Sequence, residues 1–137
     1  MVNVRNQNIK RVMRWAVTIS YAAVVMYLSF ILLTNQPNHP YADKVNHAVA
    51  YFFLSIMIRW SLRLTPLRAK KITPYIAALI ATLYGGMTEI FQIYIPYRDA
   101  EWADAIANAL GAFTAIPISA LLIELRNKWR NIYARSY

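Results

Sequence analysis

Asp43, His47 and Tyr51 recur at i, i+4 and i+8, which sets a carboxylate, an imidazole and a phenol on one face of a helix. Glu89 and Gln92 form an i, i+3 pair further along, and Asp104 and Asn108 form an i, i+4 pair continued by Gly111. Lys44 and Arg98 stand beside these groups in the chain. His47 with Glu89 or Asp104 has the chemistry of a general acid and base, and these are the candidate catalytic residues. Arg98 offers a planar fork and Lys44 a point charge for a phosphate or carboxylate. With Asp43, Tyr51, Gln92 and Asn108 they make the candidate substrate-binding set. Such parts suit transfer or hydrolysis at a lipid phosphate headgroup.

The same side chains also have simpler roles. Asp43 at a helix start can cap it and complement the helix dipole, and Lys44 can snorkel to lipid headgroups. Trp15, Trp60, Trp102 and Trp129 suit interfacial anchors rather than a site. A lone His47 is more often structural than catalytic. Glu89 resists such a reading, because it lies well inside an apolar segment with no cation in its own segment. A charge near the bilayer centre costs at least about 2.5–3.5 kcal/mol. Its partner must come from elsewhere, with Arg98, Lys44 and His47 as the candidates. Asp43, His47, Glu89 and Asp104 could offer ligands to a divalent ion, but no spacing amounts to a metal signature. No nucleophile motif or phosphate-binding glycine loop is present either.

The elements that carry these residues follow from composition and hydropathy. The 137 residues are 58% hydrophobic and carry 15 Lys and Arg against 6 Asp and Glu, enough for a single domain over 1–137. Cysteine is absent, which removes disulfides and thiolate metal sites. About 20 apolar residues cross a bilayer, and four segments qualify: 15–33, 43–60, 72–95 and 102–123. The first has no charge or histidine; its apolar core exceeds that of a signal peptide and no cleavage site follows before Pro37, so it reads as a retained span. The second is the weakest, because its polar first turn shortens the apolar remainder. With backbone groups needing internal partners in lipid, the expected fold is all-α, a four-helix membrane bundle. Gly85, Gly86 and Gly111 would permit close helix contact, and Pro117 falls within the last span.

Charge gives the orientation. Thirteen of the 15 basic residues precede span one, lie near the turn between spans two and three, or follow span four, leaving only Lys44 and Arg98. Under the positive-inside rule both termini are cytoplasmic and the loops at 34–42 and 96–101 face out. This topology accounts for the basic residues, so nucleic acid is not an expected partner; membrane lipids are. Tyr51 then lies about 12 Å below Asp43, and Glu89 about 10 Å below Pro96. All the unusual polar groups fall at one level, as expected of a chamber open to the outside.

The segments "DKVNHAVAYFFL" and "YGGMTEIFQIYIPYRDAEWADAIANALG" resemble the VanZ-like membrane proteins, whose pattern is D-K-x-x-H-x-x-x-Y-x-x-L, then E-x-x-Q, an Arg, and D-x-x-x-N-x-x-G. The match covers about half the chain. Asp43, Lys44, His47, Tyr51, Glu89, Gln92, Arg98, Asp104, Asn108 and Gly111 carry the family's residue types. Asp99 and Glu101 depart from it, standing where members often have small or hydroxyl residues. The resemblance implies a multi-pass protein of a bacterial-type plasma membrane, linked to low-level resistance to the glycopeptide teicoplanin, and it implies no particular reaction or cofactor. Three functions compete: a lipid headgroup transferase or hydrolase; a protein that binds or transports a lipid, a lipid-linked precursor or the antibiotic; and a structural polar network.

Overall fold

A computed structural model describes residues 2–31, 41–69, 71–95 and 101–134, and among these every regular element is helical. Four α-helices run in chain order, α1 (Val2–Phe30), α2 (Ala42–Leu62), α3 (Thr73–Gln92) and α4 (Trp102–Ala134), with a short 3-10 turn at Pro66–Ala69. Helix α1 includes the basic residues before the first apolar segment, and α4 runs past its own apolar segment into the basic region that follows. Pro117 lies inside α4 without ending it. Two of the four helices, α1 over Arg5–Phe30 and α4 over Trp102–Ile132, are long and apolar enough to cross a membrane. Helices α2 and α3 have 21 and 20 residues, about 30 Å each, and they carry Asp43, Lys44, His47, Arg59 and Glu89, which lower their mean hydropathy.

The core is built from stripes at helical spacing. Helix α2 buries His47, Tyr51, Leu54, Ser55, Ile58, Ser61 and Leu62. Helix α3 buries Ala77, Ala78, Ala81, Gly85, Thr88, Glu89 and Gln92 along one face, and α4 turns Asp104, Ala107, Asn108, Gly111, Ala112 and Ala115 inward. Steps of three and four residues keep each set on one side of its helix. Helix α2 makes its largest contact with α4, then with α3, while α1 packs chiefly on α2.

Small residues set the spacing. A Cβ on Gly111 would fall 1.9 Å from the Ala48 carbonyl oxygen, so α2 and α4 touch backbone to backbone just beneath the polar residues. Gly85 is similarly closed in by Asn108 and Tyr51, whereas Gly86 faces open space.

Helix ends and cross-links fix the register. The cap position of α2 is Tyr41, which makes no side-chain cap bond, and Asp43 sits inside the first turn; it therefore favours the helix dipole without capping, unlike the role open to it in the sequence. Pro74 opens α3, where its missing N–H costs nothing. Helix α1 is held by hydroxyls: Thr18 Oγ1 lies 2.9 Å from Ser61 Oγ, Tyr21 donates to the Ala50 carbonyl, and Tyr84 donates to the Ala22 carbonyl. Arg14 donates to the Trp60 carbonyl and lies 4.6 Å over its ring. Arg59 bonds Ser119, linking the last turn of α2 to the middle of α4.

Candidate functional site

The beginning of α2, the end of α3 and the beginning of α4 meet at one end of the bundle, because the inward stripes of all three helices become polar there. His47, Glu89, Gln92, Asp104 and Asn108 are all buried, each on a face whose remaining residues are core. Burying so many polar groups is tolerable only with partners. Most have them.

Asn108 is the central connector. Its Nδ2 donates to Glu89 Oε1 at 3.4 Å, and its Oδ1 lies 3.0 Å from His47 Nδ1. With the amide nitrogen turned to a carboxylate, which can only accept, Oδ1 is left as acceptor and His47 Nδ1–H must donate to it. His47 Nε2 then points at two carboxylates, Asp43 Oδ1 and Asp104 Oδ2, at 3.9 Å from each. That is beyond hydrogen-bond length.

Lys44 links α2 to the carboxylates at the start of α4. Its Nζ donates to Glu101 Oε2 at 2.7 Å and to Asp104 Oδ1 at 3.3 Å. Of the partners expected for Glu89, Lys44 is thus committed elsewhere, and among the described residues the side-chain hydrogen bond that Glu89 receives comes from the neutral Asn108. Its other oxygen, Oε2, makes no hydrogen bond among the described residues; the Glu101 amide and His47 are near enough to influence the carboxylate without bonding that atom.

Below this layer Tyr51 is fully buried, its hydroxyl 2.9 Å from Thr88 Oγ1, which in turn donates to the Gly85 carbonyl. Tyr51 thereby joins α2 to α3 as a strut under the cluster. Gln92 turns away from the cluster, where its Nε2 donates to the Ser29 carbonyl at 2.8 Å and ties α3 to α1. Arg98 falls outside the described residues. The structure therefore draws Asp43, Lys44, His47, Glu89, Asp104 and Asn108 together, with Tyr51 beneath them and Gln92 on the α1 side.

Glu101 belongs to this group and escaped the sequence reading as a site residue. It entered there only as a departure from a motif, although a carboxylate three residues before Asp104 lies on the same helical side and is a natural second partner for a lysine.

Two cavities flank the cluster. One, of about 310 Å³, lies between α1 and α2 and is lined by Tyr21, Val25, Ser29, Asp43, His47 and Tyr51. The other, of about 620 Å³ and mainly apolar, lies between α3 and α4, with Glu89 and Glu101 among Gly86, Ile90, Ile93 and Trp102. An apolar trough ending at carboxylates can take a chain with a polar end.

No family model matches the chain, and no solved structure matches it. The chain is similar to the uncharacterized protein C11E3.10 of Schizosaccharomyces pombe, at 31% identity over 88 residues, which cover 64% of this chain and 52% of that protein. The chain thus spans about half the length of the relative it matches.

Proposed function

We propose that this chain is a VanZ-like integral membrane protein of the cell envelope, crossing the membrane four times with both termini in the cytoplasm, and that its outward-facing polar chamber binds and acts on a phosphate-bearing lipid headgroup. The observation that carries the reading is the inversion of polarity: His47, Glu89, Asp104 and Asn108 are buried, while Ile19, Leu83, Ile106, Leu110 and Leu121 face outward. Exposed apolar surface on every helix suits lipid as solvent, and ionisable groups in such a bundle face its interior or a wet cavity. Helices α2 and α3 cross despite their polar residues because those residues line the inside. In this reading His47 exchanges a proton with the headgroup, Glu89 and Asp104 set its charge balance, and Lys44 and Arg98 receive the phosphate. The acyl chains lie in the apolar trough of α3 and α4.

Binding or transfer of the lipid without chemistry is the second reading. It is favoured by the size and apolar lining of the trough beside Glu89. The motif resemblance links either reading to glycopeptide resistance. Incubating the purified protein with envelope phospholipids and following products by mass spectrometry tests the first: product should form with the parent and fall at least about a hundredfold in His47→Ala, in keeping with the weight of a general acid–base. Lipid retained without product, and lost on Glu89→Gln, favours the second. Neither product nor retention rejects both.

A further inference from the structure

Among the described residues the carboxylates of the cluster outnumber its cations: of Asp43, Glu89, Glu101 and Asp104, only Glu101 and Asp104 are paired with a Lys or Arg, and both share Lys44. Within this group one ligand atom each from Asp43, His47 and Asp104 lies within 4.8 Å of the others. Bonds of about 2.0–2.2 Å to imidazole nitrogen and carboxylate oxygen place two ligand atoms of a tetrahedral ion about 3.4 Å apart. The 3.9 Å separations of His47 Nε2 from Asp43 Oδ1 and Asp104 Oδ2 are too long for hydrogen bonds and within about half an ångström of the spacing that two ligands of one ion require.

The other contacts orient these atoms. Asp104 gives Oδ1 to Lys44 and leaves Oδ2 facing His47. His47 gives Nδ1–H to Asn108, which frees the Nε2 lone pair toward the carboxylates; a ligating imidazole held through its other nitrogen is the usual supporting arrangement of a metal centre. A second observation comes from α3. Glu89, 7% exposed, keeps Oε2 without a hydrogen-bond partner among the described residues while its carboxylate faces His47 and Asp104. Such a group is costly to bury unless something else satisfies it. Asp43, with its side chain 30% exposed, leaves the outer side open for an ion to enter.

We infer that Asp43, His47 and Asp104 form a binding site for one divalent transition cation, Mn²⁺ or Zn²⁺, with Glu89 placed to complete or neutralise it. One nitrogen and carboxylate oxygens match both ions. Use of the ion to hold a headgroup phosphate rests on the lipid reading above; binding of the ion itself needs no lipid.

Titration of the detergent-purified, chelator-treated protein with Mn²⁺, read by electron paramagnetic resonance, should give one bound ion per chain. Electron spin echo modulation should show coupling to an imidazole nitrogen, and Zn²⁺ should displace the Mn²⁺. His47→Gln and Asp104→Asn should weaken binding roughly tenfold or more, and Asn108→Leu by about 10–100-fold through loss of orientation. The spin-echo measurement uses the parent protein and so holds even where a variant fails to fold. No Mn²⁺ bound at millimolar concentration, bound Mn²⁺ without nitrogen coupling, or unchanged affinity in folded His47→Gln and Asp104→Asn would each overturn the site. Lipid turnover or retention in protein that binds no ion sinks this inference alone; Mn²⁺ binding in protein indifferent to lipid sinks the headgroup reading alone.

Discussion

Glu89 carries much of the meaning of the cluster because its neighbours are so few. Its carboxylate has one neutral side-chain donor, Asn108, and its Oε2 has no hydrogen-bond partner among the described residues. Glu89→Gln keeps an oxygen for Asn108 and should melt close to the parent in detergent. Glu89→Leu fits the apolar surroundings better yet leaves the Asn108 amide with nothing to donate to, and it should cost about 1–3 kcal/mol. Equal melting temperatures for the two variants would show that the contact is not formed. The comparison also separates chemistry from architecture, since a Glu89→Gln protein that folds but no longer handles lipid has lost a charge and not a fold. Lys44 illustrates the opposite situation. Half of its pairing is with Glu101, whose side chain is 54% exposed, and such a pair is worth little in water; its contact with the buried Asp104 is the part that matters.

The helices place the site through where they touch. Gly111 lies one turn below Asn108 on the same face of α4, and the Ala48 carbonyl occupies the space a methyl group would need. Gly111→Ala must push α2 and α4 apart beneath the polar cluster, at a cost of about 1–3 kcal/mol. It should also loosen the His47–Asn108 contact, so its effect on ligand binding should exceed its effect on stability. Gly86→Ala, with no atom within 4 Å of the added Cβ, should match the parent in both. Thermal melts alongside a binding assay check the pair, and a neutral Gly111→Ala would mean that the helices do not approach as closely as stated. Helix α1 differs from the rest. Near the site it is attached by hydroxyl and amide bonds to backbone carbonyls, of which the Gln92–Ser29 contact is the nearest, and contacts of this kind average about 0.6 kcal/mol in membranes. Because α1 forms one wall of the smaller cavity, it is the wall with least to lose by moving.

Across the described residues, polarity is arranged the reverse of a water-soluble bundle, and the Lys and Arg residues other than Lys44 collect at the end opposite the cluster. That end holds Arg14, Arg59 and Arg63, with Arg126, Lys128 and Arg130 beyond it on α4. In the proposed four-span topology the positive-inside rule would orient the cluster outward. The chain has no cysteine, so single substitutions report without background. Cysteine at Tyr41, which is 75% exposed, should label from outside intact cells with a membrane-impermeant maleimide, whereas cysteine at Arg5 or Lys128 should label only after permeabilisation. Labelling of Arg5→Cys from outside would reverse the orientation and, with it, the leaflet whose lipids the chamber meets.

The helical class, the inward faces of the helices and the grouping of Asp43, His47, Glu89, Asp104 and Asn108 at one level could all be read along the chain. The first two depend on spacing of three or four residues and on local hydropathy, which neighbouring positions settle between themselves, and the shared level follows from an up-and-down order of the four segments. The pairings could not be read. Lys44 meets Glu101 across 57 positions and His47 meets Asn108 across 61, and nothing local distinguishes Lys44 bound to Glu89 from Lys44 bound to Glu101. The choice depends on how closely α2 and α4 approach at Gly111 and how α3 is rotated against both. For the same reason Gln92 reads as a site residue along the chain and is bonded to α1 in the fold. The ion-sized gap between His47 and its two carboxylates exists only once the ends of α2 and α4 are brought together, with Glu89 of α3 set against them.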